Sequence, residues 1–340
     1  MMKNYVIIPT YKEAENLKEL LPLLTRYNVI IVDDNSLDGT ENICRKYKNI
    51  RLIVRKEKGG LASAVIDGIR SIKEKDAKVV VMDADFQHDP SKLPEFFKAL
   101  DKNGFVYGLR NKLNMPFNRK IVSKTAKSLA NVLVPETRKI KDPMSGYFGF
   151  RINAVNIDKV RPIGYKIMLE FIINLKAGEN IKEIEYEFRG RKFGSSKLGF
   201  KVIIDYIKQI LRLNDYRILI FALVGLSGLL VNEAIAFLLH PYLPLYFVFT
   251  ISAESAVITN FVLNHNFTFK RRVKFTKALP RYNLIALAGL LINVGVSLYL
   301  SMFVEYLLAN FFGILIAFVF NYSLSETVAW SNIAGYHEKK

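Results

Sequence analysis

Hydrophobic and polar positions divide the chain into two regions of different periodicity. In residues 1–217, short runs rich in β-branched residues alternate with segments of helical spacing. The runs predict strands over residues 5–8, 29–32, 51–54 and 78–82, and the segments between them predict helices over 13–24, 40–47 and 61–72. This order indicates an α/β domain with a mostly parallel, Rossmann-like sheet covered on both faces, where ligands gather at the carboxyl ends of the strands.

Residues 218–340 carry long apolar runs instead of this alternation. The runs 218–239, 245–263, 284–304 and 307–324 are each close to the length of about 20 residues that crosses a bilayer. Glu233 and Glu254 lie inside them. One acid near the centre of a span costs about 3 kcal/mol, but ten or so Leu, Ile, Val and Phe residues at about 0.4 kcal/mol each offset it. Insertion is therefore favourable, most easily if the acids face other helices, and an all-α domain of four transmembrane helices is predicted for residues 217–340.

This apolar region repeats, and its charges predict an orientation. Arg217 and Arg281 each precede an Ala-Leu-x-Gly motif, and a Phe-Val-x-Asn motif ending at Asn264 is echoed by one ending at Asn321. We infer two repeated hairpins packed as one bundle. The link between the second and third spans is basic, whereas the other two links contain no Lys or Arg. The positive-inside rule thus predicts a multi-pass protein of the cell membrane with the first domain and both termini in the cytoplasm.

The composition narrows the classes of partner. The chain has 340 residues, is 51% hydrophobic and has a formal net charge of +18. Residues 218–340 hold only eight basic and five acidic residues, so most of this charge lies on residues 1–217. A basic surface suits nucleic acid, anionic lipid or phosphorylated substrates. The membrane region favours lipid, and the lack of an aromatic RNA-binding run argues against nucleic acid.

Two other features concern compartment and membrane attachment. Cys44 is the only cysteine, which rules out an internal disulfide and suits a reducing compartment. The apolar run at the amino end is too short for a secretory signal. A basic amphipathic helix is predicted near residues 119–133, within a first domain of residues 1–198, and an amphipathic helix is predicted at 199–216, before the membrane domain of residues 217–340; each would lie on an anionic membrane surface. The alternative for each is an ordinary surface helix with a solvated polar face.

Polar side chains follow three of the predicted strands. The first strand runs into Pro9-Thr10-Tyr11-Lys12-Glu13, the second into an Asp-rich turn over residues 33–40, and the fourth into Asp83-Ala84-Asp85-Phe86-Gln87-His88. Two acids at the end of a buried strand are costly unless a cation meets them, and a hard divalent ion bridging to a phosphate does so. We therefore predict a metal and nucleotide-diphosphate site. The alternative is a set of capping turns, which we favour for Asp89 and leave open for Asp33 and Asp38.

The three motifs, in this order across about the first 90 residues, resemble the inverting family 2 glycosyltransferases of the GT-A fold, within them the dolichol-phosphate mannose synthase and polyprenyl-phosphate glycosyltransferase branch. The resemblance implies that Asp83, Asp85 and Gln87 bind Mg²⁺ or Mn²⁺ beneath the diphosphate. It also implies a set of residues that bind the sugar nucleotide: Pro9, Tyr11, Glu13, Val32, Asp34, Asp83, Ala84, Asp85, Gln87 and Arg191.

A second group of cations follows later in the first domain. Residues 189–198 interleave Arg and Lys with Gly and Ser, a composition that can fold over phosphates, although such a loop can also be merely solvated. The loop is similar to an Arg-x-x-Gly-x-Ser-Lys-Leu pattern of the same branch. The resemblance implies that Asp85, Arg119 and Lys197 carry catalysis, and that the lipid phosphate is bound by Arg110, Arg119, Ser123 and Lys197.

These observations lead to one functional expectation with two alternatives. The membrane region resembles the GtrA-like domains found with polyprenyl-phosphate glycosyltransferases. The resemblance implies transfer of a sugar, most favourably mannose from GDP-mannose, to dolichyl or polyprenyl phosphate with inversion at the cytoplasmic membrane face. A UDP-hexose donor is one alternative, and a non-catalytic glycolipid carrier or scaffold is the other. The residues do not predict an oligomeric state.

Overall fold

The computed structural model divides the chain into two compact units, Met1–Ile210 and Leu211–Lys340. It describes residues 2–111, 117–161, 163–188 and 199–331, but not the side chains of residues 117–122 and 200. In these ranges, a mostly parallel α/β sheet is followed by four long apolar helices, so the predicted fold class is confirmed.

The described part of the first unit is built on a seven-stranded sheet with the order β3-β2-β1-β4-β6-β5-β7. Only β6 runs antiparallel to its neighbours, β4 and β5. The other pairings are parallel, so the carboxyl ends of β1, β2 and β4 meet at one edge. The strands are β1 Asn4–Thr10, β2 Asn28–Asp33, β3 Ile50–Val54, β4 Lys78–Val81, β5 Phe105–Asn111, β6 Phe148–Arg151 and β7 Ile181–Glu187.

Helices cover both faces of this sheet. Alternate side chains of β1 enter different clusters, with Ile7 in one and Ile8 in the other, as expected for a sheet buried on both faces. The predicted helix over 13–24 continues after α1 only as a 3₁₀ turn, Leu21–Leu24, because Pro22 lacks the N–H that an α-helix needs. The helices are α1 Ala14–Leu20, α2 Thr40–Cys44, α3 Leu61–Arg70, α4 Leu93–Ala99, α5 Phe117–Leu133, α6 Met168–Ile173 and α7 Phe200–Leu213.

The two helices predicted to lie on the membrane surface are both present, and they touch each other. The Tyr206 hydroxyl of α7 donates a hydrogen bond to the Ala126 carbonyl of α5. Ile210 is fully buried, whereas Ile203 and Ile207 are exposed. The apolar side of α7 is therefore partly buried and partly exposed.

The second unit contains four helices long and apolar enough to span a membrane, and each of the four predicted spans overlaps one of them. The third begins at Phe275 rather than at the predicted residue 284, with Pro280 in its first turns. The basic residues Lys277 and Arg281 therefore lie within the helix. Hydropathy alone placed both residues before its start. These helices are α8 Arg217–Leu239, α9 Leu245–Leu263, α10 Phe275–Leu300 and α11 Tyr306–Leu324.

The helices pair as α8 with α9 and α10 with α11, and each pair has the same close contact. A Cβ atom added to Gly228 would collide with the side-chain amide of Asn260, and one added to Gly289 would collide with that of Asn321. Gly225, which the sequence motif equates with Gly289, faces open space. The structural repeat is therefore shifted by about one helical turn from the repeat of sequence motifs.

Each pair ends in a π-helical turn, Asn264–Thr268 after α9 and Ser325–Ala329 after α11. Each turn contacts the other pair. Glu326 accepts hydrogen bonds from Arg217 at 2.5 Å and Arg272 at 2.9 Å, and the Trp330 indole N–H donates to His265 Nδ1 at 3.1 Å. The two hairpins are therefore joined by buried polar contacts in both directions.

The two acids inside the spans do not face other helices, which is the arrangement that would make insertion easiest. Glu233 and Glu254 are both exposed in the described bundle. Ser252 of α9 is 1% exposed, and two residues further along a helix turn a side chain by about 200°, which places Glu254 on the opposite side. The bundle interior therefore does not bury these two carboxylates.

Candidate active site

The turn after β4 carries the two aspartates predicted to bind metal. Asp85 is 3% exposed and its carboxylate accepts a hydrogen bond from the backbone N–H of Gln87 at 3.2 Å, whereas the side chain of Asp83 is 34% exposed. Ala84 packs in the core between them. Phe86 has a φ of +62°, in the left-handed region that reverses the chain. The carboxylates of Asp83 and Asp85 and the side-chain amide of Gln87 thus belong to one short turn at the carboxyl edge of the sheet.

His88 closes this turn. Its Nδ1 accepts a hydrogen bond of 2.9 Å from the backbone N–H of Asp83. The imidazole stacks on Tyr147 with ring centres 5.0 Å apart, and the Tyr147 hydroxyl donates to the Asp89 carbonyl at 3.0 Å. Burial lowers the pKa of His88 to about 3, so the ring is neutral and can accept. The ring and its stacking partner therefore fix the backbone of the acidic turn.

Asp34, which directly follows β2, is buried and is held by a half-buried cation, Arg55. Its two carboxylate oxygens accept hydrogen bonds from Arg55 Nη1 at 2.7 Å and from the Gly60 amide at 2.8 Å. Arg55 is also bonded to the Ser63 hydroxyl at 2.9 Å and lies 3.3 Å from Asp67. A carboxylate has about four lone-pair sites, so Asp34 can still accept from a ligand while it keeps both partners.

The other acids of the same loop connect two strand ends. Asp33 accepts from the Ser36 amide at 2.9 Å, and the Ser36 hydroxyl accepts from the Lys12 amide at 2.8 Å. Asp38 accepts from the Ala14 amide at 3.0 Å, at the start of α1. The capping interpretation that the sequence left open therefore describes the contacts of both acids.

The remaining nucleoside residues differ in how they could contact a ligand. Tyr11 is half-buried, and Lys58 Nζ lies 3.6 Å from the centre of its ring, where a cation–π attraction operates. Pro9 is half-buried at the end of β1, and Glu13 directly precedes α1. Val32 is fully buried in the core, so only its main chain faces the edge of the sheet.

Arg110 and its surroundings form a second polar region, at the ends of the parallel strands β5 and β7. Its guanidinium is bonded twice to Asp142, at 2.6 and 2.8 Å. Burial would lower the pKa of Arg110, but this pairing outweighs it and raises the pKa. A cleft of about 420 Å³ is lined by Leu109, Arg110, Asn111 and Glu185. Arg110 is thus at a cleft, with two of its five N–H donors used by Asp142.

Other predicted acceptor residues are only partly described. Ser123 is half-buried on α5. The side chain of Arg119, on the same helix, lies outside the described residues, as do Arg191 and Lys197 entirely. The proposed roles of these three cations therefore remain predictions.

Two positioning side chains carry no role in the sequence analysis. Arg55 is one of many cations in a basic stretch of the sequence. Only the Gly59-Gly60 pair that follows indicates that the backbone passes close to another group. That group is the Arg55 guanidinium, with which a Cβ at Gly59 would collide. His88 is the last residue of the acidic motif, but it acts on the main chain: its Nδ1 accepts from the backbone N–H of Asp83. A sequence pattern of side chains does not show such a contact.

Comparisons with known proteins assign a family to each of the two regions of the chain. Residues 5–156 match the family described as "Glycosyl transferase family 2", and residues 220–330 match "GtrA/DPMS, transmembrane domain". The first match covers β1 to β6 and includes the acidic turn. Together with the sheet and the four spans, these matches define the chain as a membrane-bound glycosyltransferase.

Curated relatives narrow this class. The chain is 36% identical to a dolichol-phosphate mannosyltransferase of Pyrococcus furiosus, over 97% of this chain and 100% of that protein. It is 34% identical to the dolichol-phosphate mannosyltransferase of Saccharomyces cerevisiae, over 62% of this chain and 87% of that one. The chain belongs to the dolichol-phosphate mannosyltransferase family, and the predicted family resemblance is confirmed.

Solved structures show the same fold for the first unit. Glucosyl-3-phosphoglycerate synthase from Mycobacterium tuberculosis, in complex with Mg²⁺ and uridine diphosphate, aligns with a TM-score of 0.52 at 16% identity, over 63% of this chain and 80% of that one. A second structure of that enzyme, with Mn²⁺, UDP-glucose and phosphoglyceric acid, aligns with a TM-score of 0.50. The GT-A type of α/β sheet is therefore shared despite low sequence identity.

Proposed function

We propose that this glycosyltransferase transfers mannose from GDP-mannose to the phosphate of dolichol or a related polyprenol, with inversion, at the cytoplasmic face of the membrane. A polyprenyl-phosphate acceptor is supported by the family and by the relatives that match along the chain. The observation that carries the proposal is the acidic turn of Asp83, Asp85 and Gln87, at the same sheet edge as Tyr11 and Asp34.

The acidic turn fits a divalent cation. Carboxylate and amide oxygens are hard ligands of the kind that Mg²⁺ and Mn²⁺ prefer. Among the described residues, no three His, Cys, Asp or Glu side chains converge to hold a metal ion. We therefore expect diphosphate oxygens and water to complete the ligand set of Asp83, Asp85 and Gln87. When bound, the ion would offset the negative charge that develops on the departing diphosphate.

The residues at the ends of β1 and β2 would hold the nucleoside. Tyr11 offers an aromatic face that Lys58 covers in this structure. Asp34, kept in place by Arg55, offers carboxylate lone pairs to N–H or O–H donors of the nucleoside. Pro9, Glu13 and the main chain of Val32 would complete the wall of this pocket.

The acceptor needs alignment more than activation. A phosphate monoester with a second pKa near 6 is largely ionised at neutral pH, so it can attack the anomeric carbon without a dedicated base. Attack from the side opposite the leaving diphosphate inverts that carbon. Arg119 and Lys197, with Arg110, Ser123 and Arg191, would screen the repulsion between the two anions and orient them.

The sidedness of the proposal is supported by charge. The link between the second and third spans carries six basic residues, Lys270, Arg271, Arg272, Lys274, Lys277 and Arg281. On the first unit, α5 and α7 present exposed Lys124, Lys201 and Lys208 and half-buried Lys127, together with the exposed apolar Leu129, Ile203 and Ile207. Such a mixed surface suits the cytoplasmic leaflet with its anionic lipids.

A donor panel tests the proposal. Purified protein is mixed with a polyprenyl phosphate, Mn²⁺ or Mg²⁺, and either GDP-mannose, GDP-glucose or UDP-hexoses, and the lipid product is analysed by mass spectrometry and its anomeric configuration by NMR. We expect mannosyl lipid from GDP-mannose alone and none after EDTA treatment. Equal turnover of a UDP-hexose would refute the proposed donor, and full activity in EDTA would refute the metal.

The acidic turn itself contains a matched pair of variants. Asp85→Asn keeps the shape of the side chain but removes the charge, so we expect transfer to fall by at least about 100-fold, because the leaving diphosphate loses its metal-bound support. Asp89→Asn is the control, since Asp89 caps the following turn through the Ser91 amide and Asn caps equally well. Equal rates for both variants would contradict the assignment.

A further inference from the structure

The acidic turn is held by one ring whose role no motif assigns. The His88 imidazole is 3% exposed, and its Nδ1 lies 2.9 Å from the Asp83 amide that donates to it. This bond spans residues 83 to 88 and closes the loop that contains Asp83, Asp85 and Gln87. The left-handed Phe86 sits within that loop, so the chain would not keep this shape without a contact across it.

The ring has little freedom to move. Tyr147 stacks on one side with an interplanar angle of 17°, and Phe96 stacks behind Tyr147 with ring centres 4.3 Å apart. Tyr186 meets the His88 ring edge-on at 6.1 Å. Gly146 borders the ring so closely that an added Cβ would lie 3.1 Å from His88 Cε1. The Nδ1 atom is therefore fixed in space by packing.

Here we propose that His88 is a positioning residue that sets the geometry of the divalent-cation site by accepting a hydrogen bond from the Asp83 amide. The inference rests on the metal role in the proposed function. His88 would not itself bind the cation, because its Nδ1 accepts from the backbone, which leaves the ring proton on Nε2. Its effect would reach the cation through the orientation of Asp83 and Asp85.

Two substitutions separate the acceptor from the ring. His88→Asn can place an amide oxygen close to the position of Nδ1, so the bond to the Asp83 amide can be kept while the ring is lost. His88→Phe keeps a ring that can stack on Tyr147 but puts a C–H where the acceptor was. Gly146→Ala leaves His88 unchanged and presses on its ring, which moves the acceptor by a few tenths of an ångström at most.

The readout is the Mn²⁺ concentration for half-occupancy, measured by electron paramagnetic resonance of full-length protein with GDP, and separately the Mn²⁺ dependence of transfer. Loss of a side chain that orients a metal ligand typically weakens metal binding by about 10-fold to 100-fold. We expect this shift for His88→Phe, a smaller shift in the same direction for Gly146→Ala, and a value within about 3-fold of the parent for His88→Asn. The KM for the lipid phosphate should not change in any of the three.

Each result has a definite meaning. If His88→Phe binds Mn²⁺ like the parent protein, or if His88→Asn is as impaired as His88→Phe, the inference is wrong. If His88→Phe does not fold, the pair His88→Asn and Gly146→Ala decides, and equal Mn²⁺ binding by parent and Gly146→Ala overturns it. Failure of the parent protein to bind Mn²⁺ in the presence of GDP would instead remove the metal role from the proposed function.

Discussion

Asp34 depends on Arg55 for its place at the candidate nucleoside site. The carboxylate is 4% exposed and the Arg55 side chain 17% exposed, so neither charge is well solvated. The sequence indicates Asp34 because it follows a strand in an acidic turn. It does not indicate Arg55, because the chain has 49 Lys and Arg residues and only the packing of the Gly59-Gly60 loop selects one of them.

Arg55→Met should therefore destabilise the first unit. Removing one partner of a buried ion pair leaves an uncompensated charge, at a cost of about 3 kcal/mol. We expect a lower melting temperature and a higher KM for the sugar nucleotide. Arg45→Met is the control, because the Arg45–Glu41 pair is exposed and such pairs contribute at most about 1 kcal/mol. Equal melting temperatures for the two variants would contradict this account.

In the acidic turn, too, the sequence indicates the acids but not the residue that positions them. The position of Asp83 and Asp85 directly after a strand could be predicted from the sequence, and the family resemblance adds Gln87, while the metal role of all three stays a prediction. The contact from the Asp83 amide to His88 leaves no pattern in the sequence, since every residue except proline has that amide. Residues that act through main-chain contacts, such as His88, could therefore be identified only from the structure.

Most helices and strands were predictable from periodicity, but their ends and contacts were not. The strand over 29–32 was predicted within a residue or so of the observed β2, Asn28–Asp33. The start of α10 was missed by nine residues, because Lys277 and Arg281 reduce the hydropathy of a segment that is nevertheless helical. The Ala-Leu-x-Gly repeat identified the right helices in the wrong register, since Gly228 rather than Gly225 meets an asparagine.

This difference between two glycines of one helix gives a direct test. Gly228→Leu should disrupt the contact of α8 with α9, because its side chain would occupy the space of the Asn260 amide, and small residues allow close helix approach in membranes. Overpacking typically costs about 1–3 kcal/mol. Gly225→Leu adds the same group to open space and should be tolerated.

Thermal aggregation of the two variants, followed by size-exclusion chromatography with fluorescence detection, measures the effect. We expect Gly228→Leu to lower the midpoint and Gly225→Leu to leave it close to that of the parent. The reverse order of the midpoints would support the register of the sequence motif over that of the structure.

At the scale of the whole molecule, the proposed orientation predicts which links face which side. Tyr242 lies in the short link between α8 and α9 and is 81% exposed, and Lys274 lies just before α10 and is also exposed. With Cys44 replaced by serine, a cysteine at Tyr242 should react with a membrane-impermeant maleimide in intact cells. A cysteine at Lys274 should react only after permeabilisation, because basic links stay in the cytoplasm.

Detergent-solubilised protein is the control, in which both cysteines should react. Labelling of Lys274→Cys alone in intact cells would invert the proposed orientation, and would place the basic link on the side away from the cytoplasmic sugar nucleotides. The two-part architecture itself could be predicted from the sequence, because a parallel sheet and membrane spans have unlike periodicities.

The reciprocal contacts of the two π-helical turns have a consequence for biosynthesis. The first hairpin leaves the ribosome with Arg217 still lacking Glu326, a partner more than a hundred residues away in the chain. Arg217 is 3% exposed in the finished bundle, so its charge must remain near the lipid headgroups until residues 326–330 are translated. Nascent chains halted earlier would leave this arginine without the Glu326 carboxylate and the first hairpin without the second, a defect that membrane proteases could recognise.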